Sequence, residues 1–213
     1  MNKPTENLDT IADRIRQNFS ARDAAREKVL TLCREVIRYS STTIRAVHRQ
    51  EFAPAKELLS SAANQLKSAE QEVAAYPEFR YTGFFRDAQK EFSEASITLA
   101  LVSEDQIPAP DALGVEYAAY LNGLGEAVGE LRRYLLDGIR RDDLSRVESL
   151  LSAMDDIYNV LVTMDFPDAI TSGLRRTTDM VRGVLERTRS DLTLVIRQNK
   201  LEQKLRVLED RLP

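Results

Sequence analysis

Two pairs of glutamates are the residues whose types and spacing are best suited to chemistry. Glu91 and Glu94 lie three positions apart and Glu126 and Glu130 lie four apart, so in an α-helix each pair shares one face. Four carboxylates on two neighbouring helices could hold one or two Mg²⁺ or Mn²⁺ ions, which prefer oxygen ligands. Such ions activate water and neutralise the charge that develops on a scissile phosphate.

The same pattern has a simpler interpretation as solvated helix surface. The chain contains 34 acidic residues, so pairs at this spacing also arise by chance. Its single histidine, His48, and single cysteine, Cys33, exclude a zinc site of the His/Cys type and an internal disulfide. A lone cysteine also fits a reducing cytoplasm, which is the expected location. From the residues alone both interpretations stay open, and any metal would be a hard ion held by carboxylates.

A series of arginines follows residues 22–50 at intervals that are mostly four or seven. Its members are Arg22, Arg26, Arg34, Arg38, Arg45 and Arg49. Arginine guanidinium groups match phosphate oxygens bidentately, so this series could follow a nucleic-acid backbone. The alternative is a solvated face neutralised by nearby acids such as Asp23 and Glu27. The net charge of −4 excludes binding over the whole surface, so a binding face would have to be local.

The elements that must position these side chains are helices. No glycine precedes Gly83, prolines occur at only a few points, and the long segments between them are rich in helix-forming residues. Apolar residues recur with helical periodicity, and no alternating strand pattern competes with it. We expect helices over 8–19, 22–50, 53–75, 79–104, 114–139, 142–163 and 169–206. They form a single all-α domain over residues 1–213, with no apolar run long enough to cross a membrane.

Three glycines inside the predicted helix 114–139 carry further information. Gly123, Gly125 and Gly129 each cost roughly 1 kcal/mol relative to alanine in a helix interior, so something is expected to approach this backbone closely. We expect the two glutamate-bearing helices to be antiparallel neighbours. The last helix is long and charged, with an apolar seam that includes Val184 and Leu192, which suits packing against another chain.

Three segments of the sequence resemble the translin family, which contains translin and translin-associated factor X. The first is Arg26-Glu27-Lys28-Val29-Leu30-Thr31-Leu32-Cys33-Arg34-Glu35, continuing to Thr43-Ile44-Arg45-Ala46-Val47-His48-Arg49. The second and most specific begins at Gly114-Val115 and continues as Tyr120-Leu121-Asn122-Gly123-Leu124-Gly125-Glu126-Ala127-Val128-Gly129-Glu130-Leu131-Arg132-Arg133. The third, from Leu174-Arg175-Arg176 to Ile196-Arg197, matches in spacing. The resemblance covers about residues 20–205.

The resemblance implies a seven-helix bundle that assembles into a closed, often octameric barrel with nucleic acid inside. Translin-type subunits bind single-stranded RNA or DNA, whereas translin-associated factor X subunits carry an acidic set and cut RNA. Glu91, Glu94 and Glu130 fall on glutamates of the cutting branch, and Glu126 falls where that branch has an aspartate. The short segment between the two glutamate-bearing helices is similar to that of compact archaeal members.

We therefore expect a metal-dependent endoribonuclease that acts on single-stranded RNA as a homo-oligomer, with an octamer as the expected form. Its catalytic and metal-binding residues are expected to be Glu91, Glu94, Glu126 and Glu130, with Mg²⁺ or Mn²⁺ as the cofactor. The residues expected to contact nucleic acid are Arg22, Arg26, Arg45, His48 and Arg49. The alternatives are a non-catalytic protein that binds single-stranded DNA or RNA and a purely structural helical assembly.

Overall fold

The computed structural model describes residues 3–209, and this part of the chain is helical with no β-strand. The elements are α1 (Leu8–His48), α2 (Phe52–Ala75), a 3₁₀-helix (Pro77–Tyr81), α3 (Gly83–Val102), α4 (Pro110–Leu113), α5 (Tyr117–Ile139), α6 (Val147–Val162), α7 (Asp168–Thr171) and α8 (Leu174–Glu209). The all-α prediction is confirmed. Six of these helices are long, and α4 and α7 are single turns.

The helix break expected at residues 20–21 is wrong, because α1 runs without interruption for 41 residues. Ser20 and Ala21 are neither proline nor glycine, and a serine caps a helix only where the preceding chain is not already helical. At 1.5 Å per residue α1 is about 60 Å long. Its first part, up to Ala24, extends beyond the core with almost every side chain exposed.

Four helices begin later than the sequence predicts, each for a local reason. α5 begins at Tyr117 rather than at 114, because Gly114 takes a left-handed φ of 66°. The segment before α3 is a tighter 3₁₀-helix opened by Pro77. Asp142 takes a left-handed φ of 59°, so α6 begins only at Val147. Ser172 and Gly173 take φ values of 54° and 83°, and these left-handed residues separate α7 from α8.

The hydrophobic core forms around α3, which packs against α1, α2 and α5. The predicted stripe on this helix is confirmed, since Ala88, Phe92, Ala95 and Leu99 are all buried. α1 and α2 form an antiparallel hairpin whose tight turn contains Gln50 at a φ of 60°. α5 in turn packs against α6 and α8, so α3 and α5 together form the central pair of the bundle.

The expectation that the two glutamate-bearing helices are antiparallel is wrong, because α3 and α5 run in the same direction. Near their beginnings, the backbone N–H of Glu116, just before α5, donates to the side-chain oxygen of Gln89 on α3 at 3.4 Å. At their far ends the Arg146 guanidinium, just after α5, donates to the carbonyl of Val102 at 2.9 Å. The connection over residues 103–116 returns along the bundle, so functional side chains follow the same order on both helices.

No helix within residues 3–209 is long and apolar enough to cross a membrane. The buried location of Cys33 raises the pKa of its thiol to about 12, which keeps it protonated and unreactive. A cytoplasmic location stays a prediction.

Candidate metal centre and nucleic-acid interface

Gly123 brings the backbones of α3 and α5 into close contact. A Cβ atom at this position would lie 2.6 Å from the carbonyl oxygen of Lys90 and 2.8 Å from Cβ of Ser93. The predicted close approach is therefore confirmed at Gly123, and the approaching group is α3 itself. Gly125 faces Thr177 of α8 in the same way, whereas Gly129 has no atom within 4 Å of its missing Cβ. The glycine contact at position 123 sets the spacing of the glutamates on both helices.

Three of the four predicted glutamates converge where these helices meet. One carboxylate oxygen from each of Glu91, Glu94 and Glu126 lies within 4.8 Å of the other two. Glu94 is only 9% exposed, and Glu91 and Glu126 are half-buried. Oxygen atoms at this spacing can close around a single hard cation after small side-chain rotations. The donor set therefore fits Mg²⁺ or Mn²⁺.

The electrostatics of this cluster also favour a cation. Burial, together with the charges of Glu91, Glu126 and Glu130, raises the pKa of Glu94 to about 8. Burial likewise raises the pKa of Glu91. Lys90 supplies the nearest positive charge, with its Nζ 2.7 Å from Glu126 and 3.7 Å from Glu91. One lysine does not balance the charge of three carboxylates. A divalent ion could therefore bind here in place of the proton that the raised pKa favours on Glu94.

Glu130 has a different environment from the other three glutamates. Its Oε2 lies 2.5 Å from Nε2 of His48, the last residue of α1, and 3.8 Å from Arg133. The hydrogen bond from His48 lowers the pKa of Glu130, which keeps this carboxylate ionised. It is one helical turn beyond Glu126 on α5, close enough to raise the pKa of Glu94. Glu130 therefore lies at the edge of the cluster and is oriented by α1.

His48 was expected to contact nucleic acid, but the structure directs it at Glu130. Its side chain is buried, and its Nδ1 is a buried nitrogen with no partner among the described residues. The ring of Tyr134 packs nearby, with ring centroids 6.5 Å apart. A direct contact between His48 and nucleic acid stays a prediction, and its observed contact is that of a residue that positions a carboxylate.

The predicted arginines of α1 are exposed, and they lie at two distances from the glutamates. Arg45 and Arg49 flank His48 at the end of α1, and Arg49 forms an ion pair with Glu51 at 2.7 Å. Arg26 and Arg22 lie about 33 and 39 Å from His48 along the axis of α1. Arg22 pairs with Glu78 at 2.9 Å, and Arg26 pairs with its neighbour Glu27. Only Arg45 and Arg49 are therefore next to the candidate metal centre.

A groove of about 420 Å³ lies beside the cluster, and its cationic residues were not found from the sequence. Arg86 and Lys90 of α3 line it together with Glu126, Ser172 and Arg176. Arg86 and Arg176 are 90 positions apart in the sequence, so no periodic pattern links them. The one available signal was that Arg86 precedes Lys90 by four residues and therefore shares a face with it.

The chain is similar to proteins of the translin group in sequence and structure. It is 32% identical over 187 residues to the uncharacterized protein MJ0175 of Methanocaldococcus jannaschii, covering 87% of this chain and 82% of that protein. The crystal structure of AfC3PO matches with 33% identity and a TM-score of 0.76, over 86% of this chain and 96% of that one. AfC3PO in complex with duplex RNA matches with 34% identity and a TM-score of 0.76, over 86% and 95% of the two chains.

Apo-NeC3PO has the same fold at 19% identity, with a TM-score of 0.77 over 92% of this chain and 98% of that one. No family model matches the chain. The helical bundle nevertheless has the translin-type fold of the archaeal and fungal C3PO structures. The chain belongs to the translin family, the family of translin and translin-associated factor X.

Proposed function

We propose that this protein is a metal-dependent endoribonuclease that works as an oligomer. The observation that carries the proposal is the convergence of Glu91, Glu94 and Glu126 within 4.8 Å, with Glu94 buried and its pKa raised to about 8. A purely structural helix contact would not be expected to bring together one buried and two half-buried carboxylates with only one lysine. The related AfC3PO has been solved in complex with duplex RNA, which supports RNA as the substrate class.

Glu91, Glu94 and Glu126 would hold the Mg²⁺ or Mn²⁺ ion, and Glu130 would complete the set from the edge of the cluster. When bound, the ion activates water and neutralises charge on the scissile phosphate. The chain's own residues supply the position: Gly123 fixes the helix spacing, and His48 orients Glu130. Lys90, whose Nζ lies 2.7 Å from Glu126, would contact a phosphate oxygen of the RNA.

Cleavage and binding in a single experiment test the proposal. Labelled single-stranded RNA and duplex RNA of the same sequence are incubated with the protein in Mg²⁺, Mn²⁺ or EDTA. We expect cleavage of single-stranded RNA only with a metal, and its loss in Glu94→Gln, which keeps the size of the side chain. Binding in EDTA should be nearly unchanged, because the raised pKa of Glu94, about 8, leaves this carboxyl largely uncharged without a metal, as glutamine is.

The control substitution is Glu148→Gln, on the exposed first turn of α6, which should leave cleavage unchanged.

The second candidate function is a binder of single-stranded DNA or RNA without catalysis. The ion pair of Lys90 with Glu126 favours this function, because it partly neutralises the charge of the cluster. If the parent protein shifts RNA on a native gel but cuts neither form under any metal condition, the binder is correct. Cutting of duplex RNA alone would replace the single-stranded assignment.

We also propose assembly into a closed homo-oligomer, of which an octamer is the expected form. The ends of the two longest helices carry apolar side chains that no part of residues 3–209 covers. They are Leu8, Ile11, Ile15 and Phe19 on α1, and Leu194, Leu201, Leu205 and Leu208 on α8. Their spacing of mostly three, four or seven residues suits pairing with helices of other copies.

Light scattering after size exclusion tests the assembly. The parent protein should elute at several times the 24.1 kDa of one chain. Leu201→Glu combined with Leu205→Glu should give smaller species, whereas Glu202→Gln on the same turn of α8 should not. A parent protein that elutes as a monomer would contradict the proposal of an oligomer without affecting the metal centre.

A further inference from the structure

We infer that the groove lined by Arg86 and Arg176 is a phosphate-binding subsite that holds the RNA backbone next to the scissile phosphate. This inference rests on the proposed ribonuclease function and adds residues that set the position of the strand. The groove is bounded by α3 and α5 on one side and by the first turn of α8 on the other. It opens beside Glu126 of the candidate metal centre, so one ligand could occupy both.

The positive charge that lines the groove exceeds the negative charge. Within residues 3–209 neither Arg86 nor Arg176 forms an ion pair, and Arg86 instead donates to the hydroxyl of Ser172 at 2.9 Å. That contact holds the Arg86 guanidinium over the groove without removing its charge. Asp87 and Glu126 also line the groove, but Glu126 is already bonded to Lys90, and the three cationic side chains outnumber the two carboxylates. Two unpaired arginine side chains facing one groove are suited to a phosphodiester anion.

The start of α8 contributes to the same groove. Ser172, Gly173 and Thr177 line it, so the first turn of α8 forms one wall of the groove. The first turn of a helix carries the positive end of the helix dipole, which favours an anion nearby. This dipole adds to the two arginines, which are the principal evidence for the subsite.

The position of the groove fits a neighbouring phosphate rather than the one that is cut. On α3, Arg86 lies one turn before Lys90 and about two turns before Glu94. Arg86 is therefore roughly 12 Å from Glu94 along the helix axis. On the opposite side of the carboxylates lie His48 and the exposed Arg45 and Arg49. The glutamates therefore lie between two cationic regions. A strand bound to both would place an intervening phosphate at the metal centre.

The test combines a substitution in the protein with a change in the RNA. The variants are Arg86→Gln and Arg176→Gln, and the control is Arg175→Gln, which alters the adjacent residue on a different surface of α8. Ser172→Ala removes only the contact that holds Arg86. The substrate is a short labelled single-stranded RNA carrying one neutral methylphosphonate linkage at successive positions, and the rate of cutting at each linkage is measured.

For the parent and the control, a neutral linkage one or two positions to one side of the cut should slow cutting roughly tenfold, as expected for a lost hydrogen bond to a charged group. In Arg86→Gln and Arg176→Gln cutting should already be slower, and the same neutral linkage should have little further effect. This loss of sensitivity identifies the partner of that phosphate. Ser172→Ala should show a smaller loss of sensitivity.

Equal sensitivity to the neutral linkage in the parent and both arginine variants would overturn the subsite while leaving the nuclease assignment intact. A parent protein that cuts no RNA would instead contradict the proposed function. In that case the same neutral-linkage scan is measured by fluorescence anisotropy in EDTA. If neither arginine variant weakens RNA binding relative to Arg175→Gln there, the groove binds no phosphate.

Discussion

Nε2 of His48, the last residue of α1, lies 2.5 Å from Oε2 of Glu130 on α5. This bond joins the end of a helix in the outer hairpin to the carboxylate at the edge of the candidate metal centre. His48 is buried, and its second nitrogen has no partner among the described residues, so its orientation depends on packing and on Glu130. Glu130 consequently has one preferred direction, and His48 acts on the site through it.

Removing this contact should weaken metal binding without affecting RNA binding in EDTA. Loss of a partner that orients a metal ligand typically costs 10–100-fold in metal affinity, so His48→Ala should lower Mn²⁺ affinity by roughly that factor. His48→Gln retains a donor and should recover part of the loss. Isothermal titration calorimetry with Mn²⁺ measures both, with Arg49→Ala as the neighbouring control. Equal dissociation constants for His48→Ala and the parent would remove the positioning role.

The raised pKa of Glu94 predicts a pH-dependent stability in the absence of metal. Its pKa rises from 4.5 to about 8 on folding, so the folded state holds more protons than the unfolded state between these values. Stability should therefore fall as pH rises from about 5 to about 8, by on the order of a few kcal/mol. Glu94→Gln should flatten this dependence and be more stable than the parent at pH 8 in EDTA.

Thermal unfolding in EDTA at several pH values measures this effect, and Mn²⁺ should reverse it. A bound cation replaces the proton of Glu94, so the rise in melting temperature caused by Mn²⁺ should grow with pH in the parent. The effect of Mn²⁺ should be small in Glu94→Gln. A parent melting temperature that is equally high at pH 5 and pH 8 in EDTA, and unmoved by Mn²⁺, would contradict the burial of a carboxylate cluster.

The sequence predicted the helices and one close contact of this site, but not the direction of the helices or the contact of His48. The apolar periodicity predicted α3 and α5, and the glycine at position 123 predicted a close approach that the structure confirms. The sequence did not show that α3 and α5 run parallel. Direction depends on the path of residues 103–116, which have no periodic pattern. The meeting of His48 with Glu130 was also hidden, because 82 positions separate them.

The break expected in α1 failed for a related reason. Ser20 followed by Asp23 is a typical start signal, yet the residues on both sides also favour helix, and nothing there ends one. Local signals of this kind mark where a helix could begin, whereas continuity depends on the absence of a terminator. Arg86 and Arg176 were missed because a groove is formed by packing, and their proximity is not encoded in any spacing.

Two glycines of α5 should respond in opposite ways to substitution by alanine. Gly123→Ala would place Cβ 2.6 Å from the Lys90 carbonyl, so α3 and α5 must separate, at a cost of about 1–3 kcal/mol. Gly129→Ala meets no atom within 4 Å and should gain up to about 1 kcal/mol from helix propensity. Urea denaturation measures both. Gly123→Ala should also weaken Mn²⁺ binding, since the glutamates move apart, and similar stability of the two variants would contradict the close packing.

The arginines of α1 should differ in their effect on RNA binding according to their distance from the glutamates. Arg45 and Arg49 flank His48, whereas Arg22 and Arg26 lie about 33–39 Å away along α1 and already contact Glu78 and Glu27. Charge reversal at Arg45 or Arg49 should weaken binding of a short single-stranded RNA and reduce the salt dependence by about 0.7 log units per lost contact. Reversal at Arg22 or Arg26 should matter only for RNA long enough to span α1.

Fluorescence anisotropy in EDTA, with RNAs of two lengths and several salt concentrations, separates the two groups of arginines. If all four variants bind the short RNA as the parent does, the series on α1 is solvated surface and the backbone follows another face of the molecule.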